Sequence, residues 1–206
     1  MANTFHRKFC SEQLVIASHN QGKVSEVTDL IMPYVSEVFS AGELGLKEPL
    51  ENGSSFVANA ELKALAATKG AGMPALADDS GLVVPSLGGE PGIYSARWAG
   101  PSNNFYNAMK LVEQRIQGTK DRSAYFTCAL CLAWPDGHLV TVEGYVHGKL
   151  VWPPKGKRGF GYDPIFVATG YEVTFGEMAT KEKHKISHRN DAFKKLITTC
   201  FPLNTS

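Results

Sequence analysis

Apolar residues fall into short blocks along the chain, and their spacing alternates between extended and helical. Leu14-Val15-Ile16-Ala17 is a continuous apolar run of strand length, closed by polar residues from Ser18 to Gly22. Val24, Val27, Leu30 and Ile31 then recur at helical spacing until Pro33 stops the pattern. Val35 to Phe39 predicts a second strand. Phe56, Ala60, Lys63, Ala64 and Ala67 mark a helix in an alanine-rich stretch that ends at Gly70. Pro74 to Ala77 predicts a short strand running into Asp78-Asp79-Ser80-Gly81, after which Leu82-Val83-Val84 resumes extended structure. Residues 87–101 are rich in glycine and proline and predict a loop, yet they carry Tyr94, Arg97 and Trp98. Phe105, Ala108, Met109, Val112 and Ile116 make the next helix. Ala124 to Trp134 and Leu139 to Val146 flank Pro135-Asp136-Gly137, a hairpin signal. A last helix begins near Ser187 and buries Ala192, Phe193, Leu196, Ile197 and Cys200. The alternation of strands and helices, with no repeat, low-complexity tract or linker, predicts a mixed α/β chain.

The 206 residues suffice for one large domain or two closely packed lobes with a real core. Hydrophobic and charged contents of 43% and 20% are ordinary for a globular protein. A formal net charge of +1 provides no global basic field for nucleic acid or an anionic membrane, so any phosphate binding is local. No apolar run approaches the roughly 20 residues that span a bilayer. The start carries Arg7 and Lys8 without a following apolar segment and small-residue cleavage site, so residues 1–12 are expected to be a flexible N-terminal extension rather than a signal peptide. Residues 13–206 are expected to form a single domain. Cys128 and Cys131 form a CxxC, but in a strand residues three apart point to opposite faces and cannot clamp one metal or close a disulfide. With Cys10 and Cys200 they are expected to be reduced thiols of a cytoplasmic protein.

Three constellations carry candidate chemistry. Ser18-His19-Asn20-Gln21-Gly22-Lys23 joins a strand end to a helix start, where free backbone N–H groups and the helix dipole address an anion and Lys23 adds a mobile charge. The bland alternative is an ordinary capped helix with a solvated lysine. Asp78-Asp79-Ser80-Gly81 follows an apolar strand, and two adjacent acids there suit Mg²⁺ or the acceptance of a proton from an attacking water. The alternative is a plain turn, for which Asp, Ser and Gly are common residues. Glu51 precedes a helix and is a candidate second metal acid, with Glu48 as a competing choice. The third stretch holds Phe160-Gly161-Tyr162-Asp163-Pro164, Lys183 and Ser187-His188-Arg189. Ser187 suits an N-cap, with His188 and Arg189 in the first turn where donors address a keto oxygen on a base. Phe160 would stack on the base, Asp163 accept from a ring N–H and Lys183 contact phosphate or base.

These motifs, together with Gly88-Gly89-Glu90-Pro91-Gly92-Ile93-Tyr94-Ser95-Ala96-Arg97, carry a resemblance. Over about residues 13–201 the chain resembles the Ham1/RdgB-type inosine triphosphate pyrophosphatases, which hydrolyse non-canonical purine nucleoside triphosphates. The resemblance implies an elongated two-lobed α/β fold, with a long central mixed sheet flanked by helices and a nucleotide cleft between the lobes. It implies a Mg²⁺-dependent homodimer that cleaves ITP, dITP and XTP to the monophosphate and pyrophosphate. Carried over, Asp79 is the proton acceptor and a metal ligand, Asp78 and Glu51 are supporting metal acids, and Lys23 assists catalysis. Ser18, His19, Asn20, Gln21, Gly22, Lys23 and Ser80 contact substrate, while Phe160, Gly161, Tyr162, Asp163, Lys183, His188 and Arg189 surround the nucleoside. Three positions depart from the family pattern: His19 stands where a glycine is usual, Leu50 where an acid is frequent, and Ala58 precedes Asn59-Ala60 where a glutamate is common. The rival readings are a Maf-like pyrophosphatase with another base preference and a nucleotide-binding module without catalysis. Base choice is expected to rest on donors from Arg189 and the last helix, which suit the 6-keto oxygen of ITP and leave donors unpaired against adenine.

Overall fold

Residues 7–201 are described by the structure, a computed structural model. Six strands form one sheet: β1 (Gln13–Ile16), β2 (Glu37–Ser40), β3 (Ala75–Val83), β4 (Ser123–Ala133), β5 (Leu139–Leu150) and β6 (Phe166–Ala168). Their order is β2-β1-β3-β4-β5-β6. β1 pairs in parallel with β2 and with β3, whereas β5 and β6 are antiparallel, so the sheet is mixed as expected. The helices are α1 (Gln21–Ile31), α2 (Phe56–Ala71), α3 (Phe105–Arg115), α4 (Thr180–Ile186) and α5 (His188–Cys200).

The chain divides into two compact units. The first holds the residues up to Asp79, Ala129–Gly144 and the stretch from Arg189 onward; the second holds Ser80–Cys128 and Tyr145–His188. β3, β4 and β5 therefore each contribute residues to both units. In the first unit, small side chains let α2 lie close to the sheet: Ala60, Ala64 and Ala67 pack with Val15, Ala75, Ala77, Ala129, Cys131 and Ala133. The second unit is filled by larger residues, among them Phe126, Phe166 and Phe175, whose rings contact one another at centroid distances of 4.7–6.2 Å.

Several elements differ from the pattern-based expectation. β3 runs unbroken through Asp78-Asp79-Ser80-Gly81, so no turn forms there. Polar residues suggest a turn only while their partners are unknown; Asp78 and Asp79 are both buried and paired with side chains of α1, α2 and α5. α2 extends to Ala71, and Gly72, with φ +67°, supplies the left-handed cap that donates to the Thr68 carbonyl. The glycine- and proline-rich loop contains short 3₁₀ turns at Pro85–Leu87, Gly92–Tyr94 and Arg97–Ala99. α4 and β6 have too few residues for a periodic pattern to reveal them. Of the flexible extension expected over residues 1–12, the first six lie outside the described residues. Phe9, by contrast, is buried, rests against Phe201 and Trp134, and donates its N–H to the Cys200 carbonyl at 2.7 Å. None of the four cysteines is joined in a disulfide, and Cys128 and Cys131 are buried on β4. No helix among the described residues is long and apolar enough to cross a membrane.

Candidate active site

In the first unit the polar turn after β1 is built as a helix start. Ser18 Oγ accepts the Asn20 N–H at 3.2 Å, and Asn20 caps α1 by accepting the Lys23 N–H through Oδ1, also at 3.2 Å. Gln21 and Gly22 are the first helical residues, where backbone N–H groups lack intrahelical partners. His19 does not need the freedom of a glycine: among the described residues the one non-glycine with positive φ is Asn103. Its ring nitrogen Nε2 lies 2.9 Å from the Leu46 carbonyl, which ties the turn to the loop after β2.

Because consecutive residues of a strand face opposite sides, Asp78 and Asp79 enter different surroundings. Asp78 Oδ2 meets Lys23 Nζ at 3.2 Å and Arg189 Nε at 3.4 Å, and the same guanidinium meets Glu26 through Nη1 at 2.6 Å. Asp79 meets residues of α2: Lys63 Nζ lies 3.2 Å from Oδ1, and Asn59 Nδ2 donates to Oδ2 at 3.2 Å. Lys63 Nζ also reaches Glu51 Oε1 at 2.6 Å, so one ammonium bridges the two carboxylates. Asn59 in turn accepts the Gly53 N–H through Oδ1 at 2.9 Å. Glu48 lies with His19, Leu46 and Lys63 around a small cavity.

Charges buried this deeply are tolerated only when paired. Burial pushes the Asp79 carboxyl above its ordinary value, and Glu51 adds to that, against the pull of Lys63, Lys23 and the Asn59 hydrogen bond. Burial acts to lower the Lys63 ammonium, but Asp79, Asp78 and Glu51 outweigh it and hold the group above its ordinary value. The pair is therefore a protonated lysine against an acid with an enhanced affinity for a proton.

Among the described residues no three acids, histidines or cysteines gather as a metal cage. The expected trio of Asp79, Asp78 and Glu51 does not assemble as one chelating cluster, because Asp78 and Asp79 leave β3 on opposite faces. Asp79 and Glu51 already share one cation, the Lys63 ammonium. Their hard oxygen donors suit Mg²⁺, which binds through one or two carboxylates plus substrate phosphates and waters.

In the second unit Ser80 follows Asp79 on β3 and is half-buried. Gly159 and Gly161, with φ of +72° and +67°, bracket Phe160 in a tight turn. Asp163 is buried at its foot: Oδ2 accepts the Phe160 N–H at 2.8 Å and Lys183 Nζ at 2.7 Å. Lys183 also lies over the Phe160 ring, 4.8 Å from its centroid. Tyr162 is buried, donates its hydroxyl to the Ser95 carbonyl at 2.9 Å and meets Phe105 edge-on. Ser187 is extended just before α5, and its hydroxyl donates to the His184 carbonyl at 3.3 Å. His188 stacks on Phe126 at 5.1 Å.

The structure thus brings Lys23, Asp78 and Arg189 together, and separately Glu51 and Asp79. It also brings Phe160, Asp163 and Lys183 together. Sequence reasoning missed Lys63, Asn59 and Glu26 as members of the site. Lys63 and Asn59 had a legible signal: both lie on the buried alanine face of α2, where a lysine requires a counter-ion and an asparagine requires partners.

A model of the Ham1 family matches residues 14–199. The chain is 53% identical over 201 residues to a dITP/XTP pyrophosphatase of Rhodospirillum centenum, covering 96% of this chain and 99% of that protein. It is 55% identical over 191 residues to a dITP/XTP pyrophosphatase of Caulobacter vibrioides, covering 92% and 98%. Among solved structures, a HAM1 protein from Coxiella burnetii superposes with a TM-score of 0.83 at 36% identity, over 90% of this chain and 96% of that one.

Proposed function

This chain belongs to the Ham1 family, and we propose that it hydrolyses dITP, XTP and ITP to the nucleoside monophosphate and pyrophosphate. The observation that carries the reading to these residues is the buried Asp79 carboxylate, held by Lys63 and Asn59 and joined through Lys63 to Glu51. A protein that only bound nucleotides would gain nothing from an acid so placed, since a carboxylate offers phosphate no attraction of its own.

In the proposed reaction a water oxygen bonds to the α-phosphorus while the bond from that phosphorus to the bridging oxygen breaks, and pyrophosphate leaves with the bond pair. Asp79 takes the proton of the attacking water. Lys23, at the start of α1, and the N–H groups of Gln21 and Gly22 bind phosphate oxygens. Lys63 holds Asp79 and Glu51 at a fixed separation and offsets their charge as the phosphates arrive. Asp79 and Glu51 would hold Mg²⁺, with Asp78 behind them balancing Lys23 and Arg189; the ion, when bound, neutralises phosphate charge and lowers the pKa of a coordinated water. Phe160, Tyr162, Asp163, Lys183 and His188 form or support the nucleoside side.

Two further readings accompany the reaction. A homodimer is supported by Tyr94, which is exposed on the glycine- and proline-rich loop. Trp98 of the same loop is half-buried on the second unit's core, and the Arg115 guanidinium lies over it at 4.5 Å. A cytoplasmic location is supported by four cysteines that stand outside any disulfide.

Pyrophosphate release from a panel of purine triphosphates, with and without Mg²⁺, tests the reaction. Release from ITP, dITP and XTP well above GTP and ATP, and only with the metal, is expected. Release of orthophosphate, or equal turnover of ATP, defeats it.

A further inference from the structure

Asn59 is 1% exposed on the alanine face of α2, where an amide is costly unless both of its ends are satisfied. Both are satisfied, and the orientation follows from the chemistry of one partner. The Gly53 peptide N–H can only donate, so Oδ1 must face it at 2.9 Å, and Nδ2 is thereby turned to Asp79 Oδ2 at 3.2 Å. Gly53 does not have a left-handed backbone; space is what it supplies. A Cβ there would stand 2.6 Å from Asn59 Oδ1 and 2.9 Å from the Ala58 Cβ. The Glu51 loop is therefore held at two points, by Asn59 at its backbone and by Lys63 at the Glu51 carboxylate. Both tethers end on Asp79, Asn59 at Oδ2 and Lys63 at Oδ1.

We propose that Asn59 is a positioning residue for the reaction, and that the contact of Gly53 with its amide sets the Asp79 carboxylate against the loop that carries Glu51. The role rests on the reading of Asp79 as proton acceptor and of Asp79 with Glu51 as the metal's carboxylates. An amide clamped from one side transmits displacement to the other. Moving Gly53 therefore rotates the Asp79 carboxylate without touching Asp79, Glu51 or substrate.

Two variants separate positioning from plain stability. Asn59→Asp keeps the acceptor for Gly53 but turns a carboxylate toward Asp79; Gly53→Ala leaves the amide in place and pushes it. Each is assayed for kcat and KM on ITP, for folding by circular dichroism, and for Mn²⁺ affinity by electron paramagnetic resonance without nucleotide. Expected for both is a 10–100-fold fall in kcat, the usual cost of losing a partner that orients a ligand, with KM within about threefold. Mn²⁺ affinity should weaken at least about tenfold while the protein stays folded. If Asn59→Asp does not fold, Gly53→Ala decides alone. A folded Gly53→Ala with kcat within about twofold of the parent, or with unchanged Mn²⁺ affinity, overturns the role. A parent chain inert on every purine triphosphate defeats the proposed function instead, and the Mn²⁺ titration still reads the clamp.

Discussion

Lys63 lies between two acids that cannot be left facing each other without it, and that fact separates its contribution to stability from its contribution to turnover. Replacing it by methionine keeps the length but strips the ammonium from Glu51 and Asp79. Breaking a buried pair by removing one partner costs about 3–5 kcal/mol, lessened here by the freedom of Asp79 to take up a proton. Lys63→Met should therefore lower the thermal midpoint and turnover together. Adding Asp79→Asn should restore much of the midpoint, because the uncompensated charge is gone. It should leave turnover at least about a hundredfold below the parent, the scale of a lost general base. Calorimetry and an ITP assay on the two single variants and the double check this; recovery of activity in the double removes Asp79 from the chemistry. Arg189 follows a different course from the one its sequence position suggests. Its guanidinium is held by Glu26 and Asp78, so it orders the acid that faces Lys23. Arg189→Ala should consequently reduce ITP turnover and any residual ATP turnover by the same factor. A selective loss on ITP would return it to the role of base reader.

At the level of elements, the strands and long helices were legible because their apolar periods are regular. Val24 to Ile31 and Phe105 to Ile116 show this for α1 and α3, and the hairpin is marked by Pro135-Asp136-Gly137. β3 was misread at Asp78-Asp79, since composition records that the residues are polar and not that Lys23, Arg189, Lys63 and Asn59 come from other elements to satisfy them. The same non-locality hid the partners of Asp163. Its carboxylate was expected to accept from a ring N–H of the base; in the fold it closes the turn from Gly159 and anchors Lys183 of α4. The turn has a testable weak point in Gly159. With φ at +72°, and with a Cβ that would collide with the Asp163 carboxylate, Gly159→Ala should destabilise by about 1–3 kcal/mol. Displacing Asp163 also loosens Phe160 and Lys183, so KM for ITP should rise about tenfold with kcat nearly kept. A fall in kcat at constant KM would place this turn in the chemistry rather than in binding.

Across the whole molecule, buried groups that must stay protonated limit stability at high pH. Cys131 lies in the alanine-rich core of the first unit, where burial pushes its thiol up to about 12; Cys200 is pushed up to about 11, and the buried Tyr162 hydroxyl is raised also. In the unfolded chain the two thiols titrate near 9. Above that pH the unfolded state releases protons that the folded state keeps, so the unfolded state binds fewer protons and stability falls as pH rises. The contribution of Cys131 is fully present below pH 9 and is lost progressively up to about 12, at about 1.4 kcal/mol per pH unit within that window. Cys200 acts in the same sense from 9 to about 11, and Tyr162 joins above its ordinary value of 10. Urea unfolding under reducing conditions should therefore show stability dropping steeply between pH 9 and 11. Cys131→Ala is a mild change in a core already formed by Ala75, Ala77, Ala129 and Ala133, and it should flatten that slope by about one proton. An unaltered slope in Cys131→Ala would assign the alkaline loss to other groups and leave this thiol without a part in the linkage.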